Sequence, residues 1–273
     1  MNNEMQWSSA TPGLLIILMD QSGSMTLPYD GGDTRTVFAA KAVNRVIDTI
    51  IQKNFNGKAP KNRCFICAIG YDVEAKTLVS GYLADLNANP LRIETVKQKI
   101  GDVDTETSVP IWVEPIKDDK WTNMTAGFQM AYEIVEKWIS QKPNNPAPVI
   151  INISDGVPYY DCKSIEECMD ETIKVVEKIK QLKTDDGNVQ IFNAMIGDGQ
   201  KVVFPASEAE LTNDEAKFLY KISTEIPAAY KKAADKNQLV YKDGARGAIC
   251  QADADLLVKL IDFGSSKGQG DDK

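Results

Sequence analysis

The chain has 273 residues, 43% of them hydrophobic and 26% charged, a composition typical of a soluble globular protein with one sizeable core. Its formal net charge of −8 disfavours DNA, RNA and anionic membranes as partners, because binding them requires a basic surface. The absence of histidine excludes Ser-His-Asp and Cys-His catalysis, imidazole acid–base chemistry and His-ligated zinc.

Two continuous apolar runs and several strand-like segments predict a central sheet. Residues 14–19 (LLIILM) and 149–153 (VIINI) are apolar throughout, which is typical of parallel strands that are covered on both faces. Further strands are predicted at residues 64–71, 76–82, 189–196 and 239–241. The short link between the segments 64–71 and 76–82 predicts an antiparallel hairpin at one edge of the sheet.

Apolar residues at helical spacing lie between these strands. The helices are predicted at residues 36–53, 125–140, 165–183, 213–223 and 253–263. Ser164 with Glu167, and Thr212 with Glu215, have the form of capping boxes at two of the helix starts. The alternation of strands and helices predicts an α/β fold, specifically a three-layer, doubly wound, Rossmann-like domain. Its sheet is expected to be mostly parallel, with one antiparallel edge strand.

The domain is expected to span residues 13–264. Residues 1–12 are predicted to form a flexible segment, and residues 265–273 (SSKGQGDDK) a disordered tail. The longest apolar run is too short for a membrane span or an export signal, so we expect a cytoplasmic protein. The five cysteines are predicted to be packed thiols; Cys64 and Cys67 share one strand, where their side chains point to opposite faces.

Asp20, Ser22 and Ser24 form a D-x-S-x-S pattern directly after the first buried strand. Alternate residues in a loop that leaves a strand can turn toward one point, and carboxylate and hydroxyl oxygens suit Mg²⁺. Two other oxygen-bearing side chains stand at element boundaries: Thr122 precedes a predicted helix, and Asp155 follows the second buried strand. Because ligands sit beyond the carboxyl ends of parallel strands, the five residues are predicted to form one metal site.

The long segment before Thr122 has no predicted strand or helix. Asp102, Asp104 and Glu106 alternate within it and are interpreted as a solvated loop, with a role at the rim of the site as the alternative. Trp112 and Trp121 bracket part of this loop. We expect them to pack it against the domain, although aromatic residues near a site can also be anchors for a partner.

The segments LLIILMDQSGSM, WTNMTAGFQMAYEIV and VIINISDG resemble the three parts of the metal-ion-dependent adhesion site of von Willebrand factor A (VWA) domains. The resemblance extends over residues 13–265, especially to stand-alone bacterial VWA proteins of the tellurite-resistance type. It implies a VWA fold in which Asp20, Ser22, Ser24, Thr122 and Asp155 bind Mg²⁺ or Mn²⁺, directly or through water. An exposed Glu or Asp of a protein partner would complete the coordination. Such proteins are often partnered with a Ser/Thr kinase and a PP2C-type phosphatase, which suggests a signalling or stress-response role.

Two other functional interpretations remain open from the sequence. A metal beside two carboxylates could assist phosphoryl transfer. However, haloacid-dehalogenase phosphatases need a second Asp where Ser22 stands, and there is no P-loop motif. The third interpretation is a VWA scaffold whose metal site is silent. The favoured prediction is a non-catalytic binding module.

Overall fold

The computed structural model describes residues 3–29, 32–100, 103–115, 121–197 and 199–265. Eleven strands are present in these residues. In chain order they are β1 (Gly13–Asp20), β2 (Phe55–Asn56), β3 (Ala59–Pro60), β4 (Cys64–Tyr71), β5 (Ala75–Tyr82), β6 (Arg92–Ile100), β7 (Val103–Ile111), β8 (Val149–Ser154), β9 (Gln190–Met195), β10 (Val202–Val203) and β11 (Ala248–Cys250).

Seven helices longer than a single 3₁₀ turn accompany these strands in the described part of the chain. They are α1 (Arg35–Lys53), α2 (Leu83–Ala88), α3 (Met124–Gln141), α4 (Ile165–Gln181), α5 (Asp214–Ile222), α6 (Lys231–Lys236) and α7 (Ala254–Ser265). None of the helices in the described residues is both long enough and apolar enough to cross a lipid bilayer.

The central sheet has seven strands in the order β10-β11-β9-β8-β1-β4-β5. Strand β1 lies between β8 and β4 and runs parallel to both, and β8–β9 and β9–β11 are also parallel. Strand β5 pairs antiparallel with β4, which confirms the predicted edge hairpin. The opposite edge also ends in a short antiparallel strand, β10. The prediction of an α/β, doubly wound, mostly parallel fold is therefore confirmed.

The continuous apolar run of β1 is buried because helices cover both faces of the sheet. Leu15 and Ile17 belong to one core with α1, α2 and α7, whereas Leu14 and Ile16 belong to a second core with α3, α4 and α5. Every residue of β1 and β8 is buried. The two separate cores make the domain three-layered, as the sequence predicts.

The predicted thiols of β4 follow the same division between faces. Cys64 packs in the first core and Cys67 in the second, so their side chains do lie on opposite faces of the sheet. All five cysteines are free thiols, and four of them are buried. The prediction of a packed thiol is wrong for Cys162, which is exposed.

One of the two predicted capping boxes is present. The Ser164 side chain accepts a hydrogen bond from the Glu167 backbone, and the Glu167 carboxylate accepts one from the Ser164 backbone, at the start of α4. The box predicted from Thr212 is wrong. Asn213 caps α5 instead, accepting a hydrogen bond from the Ala216 N–H, because an Asn side chain one residue later fits the same role.

Two assignments from the sequence are wrong, one of a strand and one of a loop. Residues 239–241 are not a strand: Leu239 is buried and Val240 exposed, as alternation requires, but no strand in the described residues pairs with them. Conversely, the segment interpreted as a solvated loop forms an antiparallel ribbon of β6 and β7, in which Glu106 lies opposite Lys97 and Asp104 opposite Lys99. Asp102 lies outside the described residues. Residues 92–95 and 106–108 of the ribbon are exposed, so it lacks the buried apolar run that marks a strand in the sequence.

The N-terminal residues pack on the domain rather than extending from it. The Asn3 N–H donates to the Asp186 carbonyl oxygen at 2.9 Å, and the Met5 N–H donates to Asp186 Oδ1 at 2.7 Å. Trp7 is buried in the first core, against Gly13. Asn3, Met5 and Trp7 therefore contact the domain, and the flexibility of residues 1–12 stays a prediction. The predicted tail lies outside the described residues, apart from Ser265 at the end of α7.

Candidate metal centre

Asp20 ends strand β1 and is almost completely buried, with 1% of its surface exposed. Its carboxylate accepts two hydrogen bonds, one from the Ser22 N–H to Oδ1 at 2.9 Å and one from the Ser154 hydroxyl to Oδ2 at 2.7 Å. The Ser154 hydroxyl in turn accepts a hydrogen bond from the Gly156 N–H at 2.9 Å. These contacts fix the orientation of the carboxylate at the carboxyl end of the sheet.

The two serines follow Asp20 in a 3₁₀ turn, Gly23–Thr26, for which Ser22 is the N-cap. The turn brings Ser22 Oγ to 3.2 Å from Ser24 Oγ. Ser22 is buried, whereas Ser24 is partly exposed and lines a cavity that opens to solvent. The structure thus places the three residues of the D-x-S-x-S pattern together.

Asp155 immediately follows β8, the strand beside β1. Met19 pairs with Ile153 in the parallel register, so β1 and β8 end side by side and Asp155 reaches the same edge of the sheet as Asp20. Gly156 then has a positive φ of 94°, which lets the chain turn sharply after the carboxylate. Asp155 Oδ2 accepts a hydrogen bond from Arg35 Nη1 at 3.2 Å, and both side chains are largely buried.

Thr122 is buried two residues before α3, which Asn123 caps by accepting a hydrogen bond from the Ala126 N–H. The backbones of Thr122 and Tyr159 form an antiparallel bridge, with N–H···O distances of 2.8 and 3.0 Å. This bridge ties the start of α3 to the loop after β8. Thr122, Ser24 and Asp155 line one cavity of about 550 Å³.

The electrostatics of this cluster are unfavourable for two carboxylates. Burial, and secondarily the negative charge of Asp155, raises the pKa of Asp20 from its ordinary value of 3.8 to about 7. Hydrogen bonds from Ser22 and Ser154 act in the opposite direction. A cation held near Asp20 would favour its ionised form, and among the described residues Arg35 provides a positive charge beside Asp155.

The donor set suits a hard divalent cation. All five predicted ligands offer oxygen, from two carboxylates and three hydroxyls, as Mg²⁺ and Mn²⁺ prefer. Among the described residues, no group of three or more Asp, Glu, His or Cys side chains could hold a metal. A metal at this site would therefore depend on the serine and threonine hydroxyls and on water, which Mg²⁺ commonly retains.

Sequence reasoning missed two residues of this centre. Ser154 directly precedes Asp155, and its position in a buried strand, next to β1, was the available signal. Arg35 lies 120 residues from Asp155 in the sequence, and nothing in the sequence links the two.

The prediction that both tryptophans pack against the domain is correct for Trp112, which is 2% exposed. It is wrong for Trp121, which is 40% exposed beside Thr122.

No protein-family profile matches the chain, and no curated protein matches it. Solved structures with a similar fold include the conserved hypothetical protein BatB from Bacteroides thetaiotaomicron, with 15% identity, a TM-score of 0.41 and 71% of each chain covered. The ArnB paralog VWA2 from Sulfolobus acidocaldarius has 18% identity and a TM-score of 0.38, over 70% of this chain and 36% of that one. Proximal thread matrix protein 1 from the mussel byssus, with a zinc-occupied MIDAS motif, has 14% identity and a TM-score of 0.45, over 93% and 48%. The chain spans about half or less of the last two proteins.

Proposed function

We propose that this chain is a VWA-type module that binds a protein partner through one Mg²⁺ or Mn²⁺ ion. The observation that carries the proposal is the parallel pairing of β1 with β8, because it sets the Asp20 and Asp155 carboxylates at one edge of the sheet. Hydroxyls of Ser22, Ser24 and Thr122 gather at the same edge. Ordinary turn residues from three separate segments would not be expected to converge at one point.

Asp20, Ser22, Ser24, Thr122 and Asp155 would hold the metal, directly or through water. The metal supplies positive charge and a coordination position that a partner can fill. An exposed Glu or Asp of the partner is the expected ligand, since an otherwise acidic surface repels carboxylates and a bound dication reverses the local sign. The cavity that Ser24, Thr122 and Asp155 line offers the route by which such a side chain would approach.

The module is proposed to have no catalytic activity of its own and to act in the cytoplasm. The lack of histidine and of nucleotide-binding motifs supports the first part. Its partner is proposed to belong to a kinase–phosphatase signalling or stress-response system, such as a Ser/Thr kinase or a PP2C-type phosphatase. This last step rests on the sequence resemblance to tellurite-resistance-type VWA proteins.

Calorimetric titration of the full chain with Mn²⁺ tests the metal site. We expect one binding site, and we expect Asp20→Ala to abolish it, while Asp48→Ala, which removes a carboxylate from the exposed side of α1, leaves the affinity unchanged. A pull-down with and without chelator then tests the binding role. Equal Mn²⁺ affinity in the chain and in Asp20→Ala would refute the site, and chelator-insensitive capture would refute the binding mode.

A further inference from the structure

The cavity over the candidate metal centre joins two kinds of surface. Of the residues that line its volume of about 550 Å³, three are predicted metal ligands: Ser24, Thr122 and Asp155. Four others are apolar or aromatic: Trp121, Val157, Tyr159 and Ile165. Concave sites of this size, largely apolar with a few convergent polar groups, are the usual form of recognition sites.

The apolar residues of this cavity are exposed to an unusual degree. Trp121 is 40% exposed, Tyr159 44% and Ile165 45%, whereas most large apolar side chains of the described chain are buried. Single exposed apolar residues are common on protein surfaces, but several around one cavity mark a contact site. The contrast with Trp112 supports this, because its ring is buried and its indole N–H donates to the Leu86 carbonyl oxygen at 2.8 Å.

Backbone contacts position the apolar wall of this cavity, which Trp121, Val157, Tyr159 and Ile165 form. The backbone bridge between Tyr159 and Thr122 fixes Tyr159 next to a predicted ligand, and Trp121 directly precedes that ligand. Ile165 is the first residue of α4, whose start is secured by the capping box of Ser164 and Glu167. A preformed wall loses little conformational entropy on binding, and Trp and Tyr are the residues that most often anchor partners.

We propose that this cavity recognises a peptide segment in which the acidic residue that reaches the metal stands next to a large apolar side chain. That apolar side chain packs against Trp121, Tyr159 and Ile165, which makes these residues determinants of specificity. The inference rests on the proposed function of the metal site. It follows because the predicted ligands Ser24, Thr122 and Asp155 share one cavity with these apolar residues, so a carboxylate that approaches the metal through it brings its neighbouring residue to the apolar side chains.

The charges of the cavity lining indicate that the metal binds the acidic residue and that the apolar wall provides the specificity. Among the described residues that line the cavity, Asp155 is the one charged side chain, and there is no Lys or Arg. The described lining therefore offers an acidic peptide no cation of its own, and the metal is the proposed source of positive charge for it. Since any exposed carboxylate could satisfy the metal, discrimination among acidic segments falls to the apolar neighbours.

A display experiment with random linear peptides tests the inference. The library is selected on the immobilised full chain in Mn²⁺ and eluted with EDTA, because multivalent display retains weak binders. We expect the eluted peptides to share an acidic residue with a Phe, Trp, Leu or Ile one or two positions away. For a selected peptide, replacing the apolar residue by Ala should weaken binding about tenfold or more, the effect of losing one buried large side chain.

Variants of the chain provide the decisive comparison. Trp121→Ala and Tyr159→Ala should erase the difference between the selected peptide and its Ala-substituted form, while their Mn²⁺ affinity in calorimetry stays unchanged. Leu91→Ala, a matched loss of an exposed apolar side chain outside the cavity, should leave the difference intact. Tyr159→Ala keeps the backbone bridge to Thr122, since that bridge involves only main-chain atoms.

The outcomes separate this inference from the proposed function. Acidic, EDTA-eluted peptides with no apolar preference, or a preference that survives Trp121→Ala, would overturn the inference and leave the metal-dependent function standing. Failure to recover any acidic, chelator-sensitive peptide, together with normal Mn²⁺ binding, would count against the proposed binding mode itself. Enrichment of basic or uncharged apolar peptides would overturn both.

Discussion

Arg35 Nη1 lies 3.2 Å from Asp155 Oδ2, and the two side chains are 12% and 8% exposed. Gly197 makes room for the guanidinium, because a Cβ at that position would come within 3.3 Å of Arg35 Nη2. A protein cation therefore already stands beside one of the two carboxylates of the candidate metal centre. A metal ion and Arg35 would share the negative charge of Asp155, which makes the strength of metal binding depend on this arginine.

Arg35→Gln should strengthen Mn²⁺ binding and weaken the metal-free fold. Without the guanidinium, both carboxylates face the metal unneutralised, so we expect the affinity to rise roughly tenfold, about 1.4 kcal/mol. The free energy of unfolding of the metal-free protein should fall by about 1–3 kcal/mol, since a largely buried carboxylate loses its partner. Lys41 lies on the same helix as Arg35 and pairs at the surface with Asp33, which precedes the helix. Lys41→Gln breaks this pair and should change neither quantity measurably. Weaker Mn²⁺ binding in Arg35→Gln would show instead that Arg35 orients Asp155 for the metal.

Ser22→Ala removes a predicted ligand without adding or removing charge. We expect Mn²⁺ affinity and partner capture both to fall more than tenfold. Removal of the metal with EDTA should lower partner capture in the same way. The free energy of unfolding of the metal-free protein should change by no more than about 1 kcal/mol, the value of one ordinary hydrogen bond. Calorimetry and thermal unfolding measure the two quantities, with Ser140→Ala on the exposed side of α3 as the control. Capture that is indifferent to both EDTA and Ser22→Ala would favour a scaffold with a silent metal site.

Ser154→Ala should act on the metal through Asp20. The lost hydroxyl donates to Asp20 Oδ2 and accepts from the Gly156 N–H, so its removal releases the orientation of the carboxylate. Removal of a group that orients a metal ligand typically lowers metal affinity about 10- to 100-fold, and we expect a loss of that size in Mn²⁺ titration. Ser223→Ala is the matched control: its hydroxyl is also buried and hydrogen-bonded, to the Leu219 carbonyl oxygen, but lies outside the centre. It should lower stability without lowering Mn²⁺ affinity.

Purified protein is expected to turn over no phosphoester in the presence of Mg²⁺. The chemical reason is that Ser22 stands where phosphatases with an Asp after a buried strand need their second Asp. Assays of generic phosphoesters with the chain and with Asp20→Ala check the expectation. Turnover that Asp20→Ala abolishes would establish a phosphohydrolase and contradict the proposed function.

Trp7→Ala should destabilise the domain by about 3–5 kcal/mol, the usual loss when a buried large aromatic side chain is truncated. Trp7→Phe should lose less than half as much, because the indole N–H has no hydrogen-bond partner among the described residues and only packing is reduced. Urea unfolding of the two variants measures the difference. Equal stability of Trp7→Ala and the unchanged chain would show that the packing of this side chain contributes nothing to the fold.

The sequence alone determined the central strands, the main helices and the positions of the candidate ligands at their ends. Strands β1 and β8 carry continuous apolar runs, and α4 begins at a capping box; these are local patterns of burial and hydrogen bonding. The sequence did not reveal the β6–β7 ribbon, because its described residues 92–95 and 106–108 are exposed and show no buried apolar stripe. Residues 239–241 show the converse, since they alternate like a strand but pair with no strand in the part of the chain that the structure describes.

Only the tertiary structure decided which distant groups meet. The contact of Arg35 with Asp155, the hydroxyl of Ser154 on Asp20, and the hold of Asp186 on residues 3–5 depend on how strands and helices are arranged in space. The burial of the two tryptophans was also decided by the tertiary structure. The Trp112 ring is buried in the core, whereas the Trp121 ring lies at the open cavity beside Thr122. A local pattern shows what a residue can do, but a pair contact or a cavity wall exists only when the packed sheet brings separate segments together.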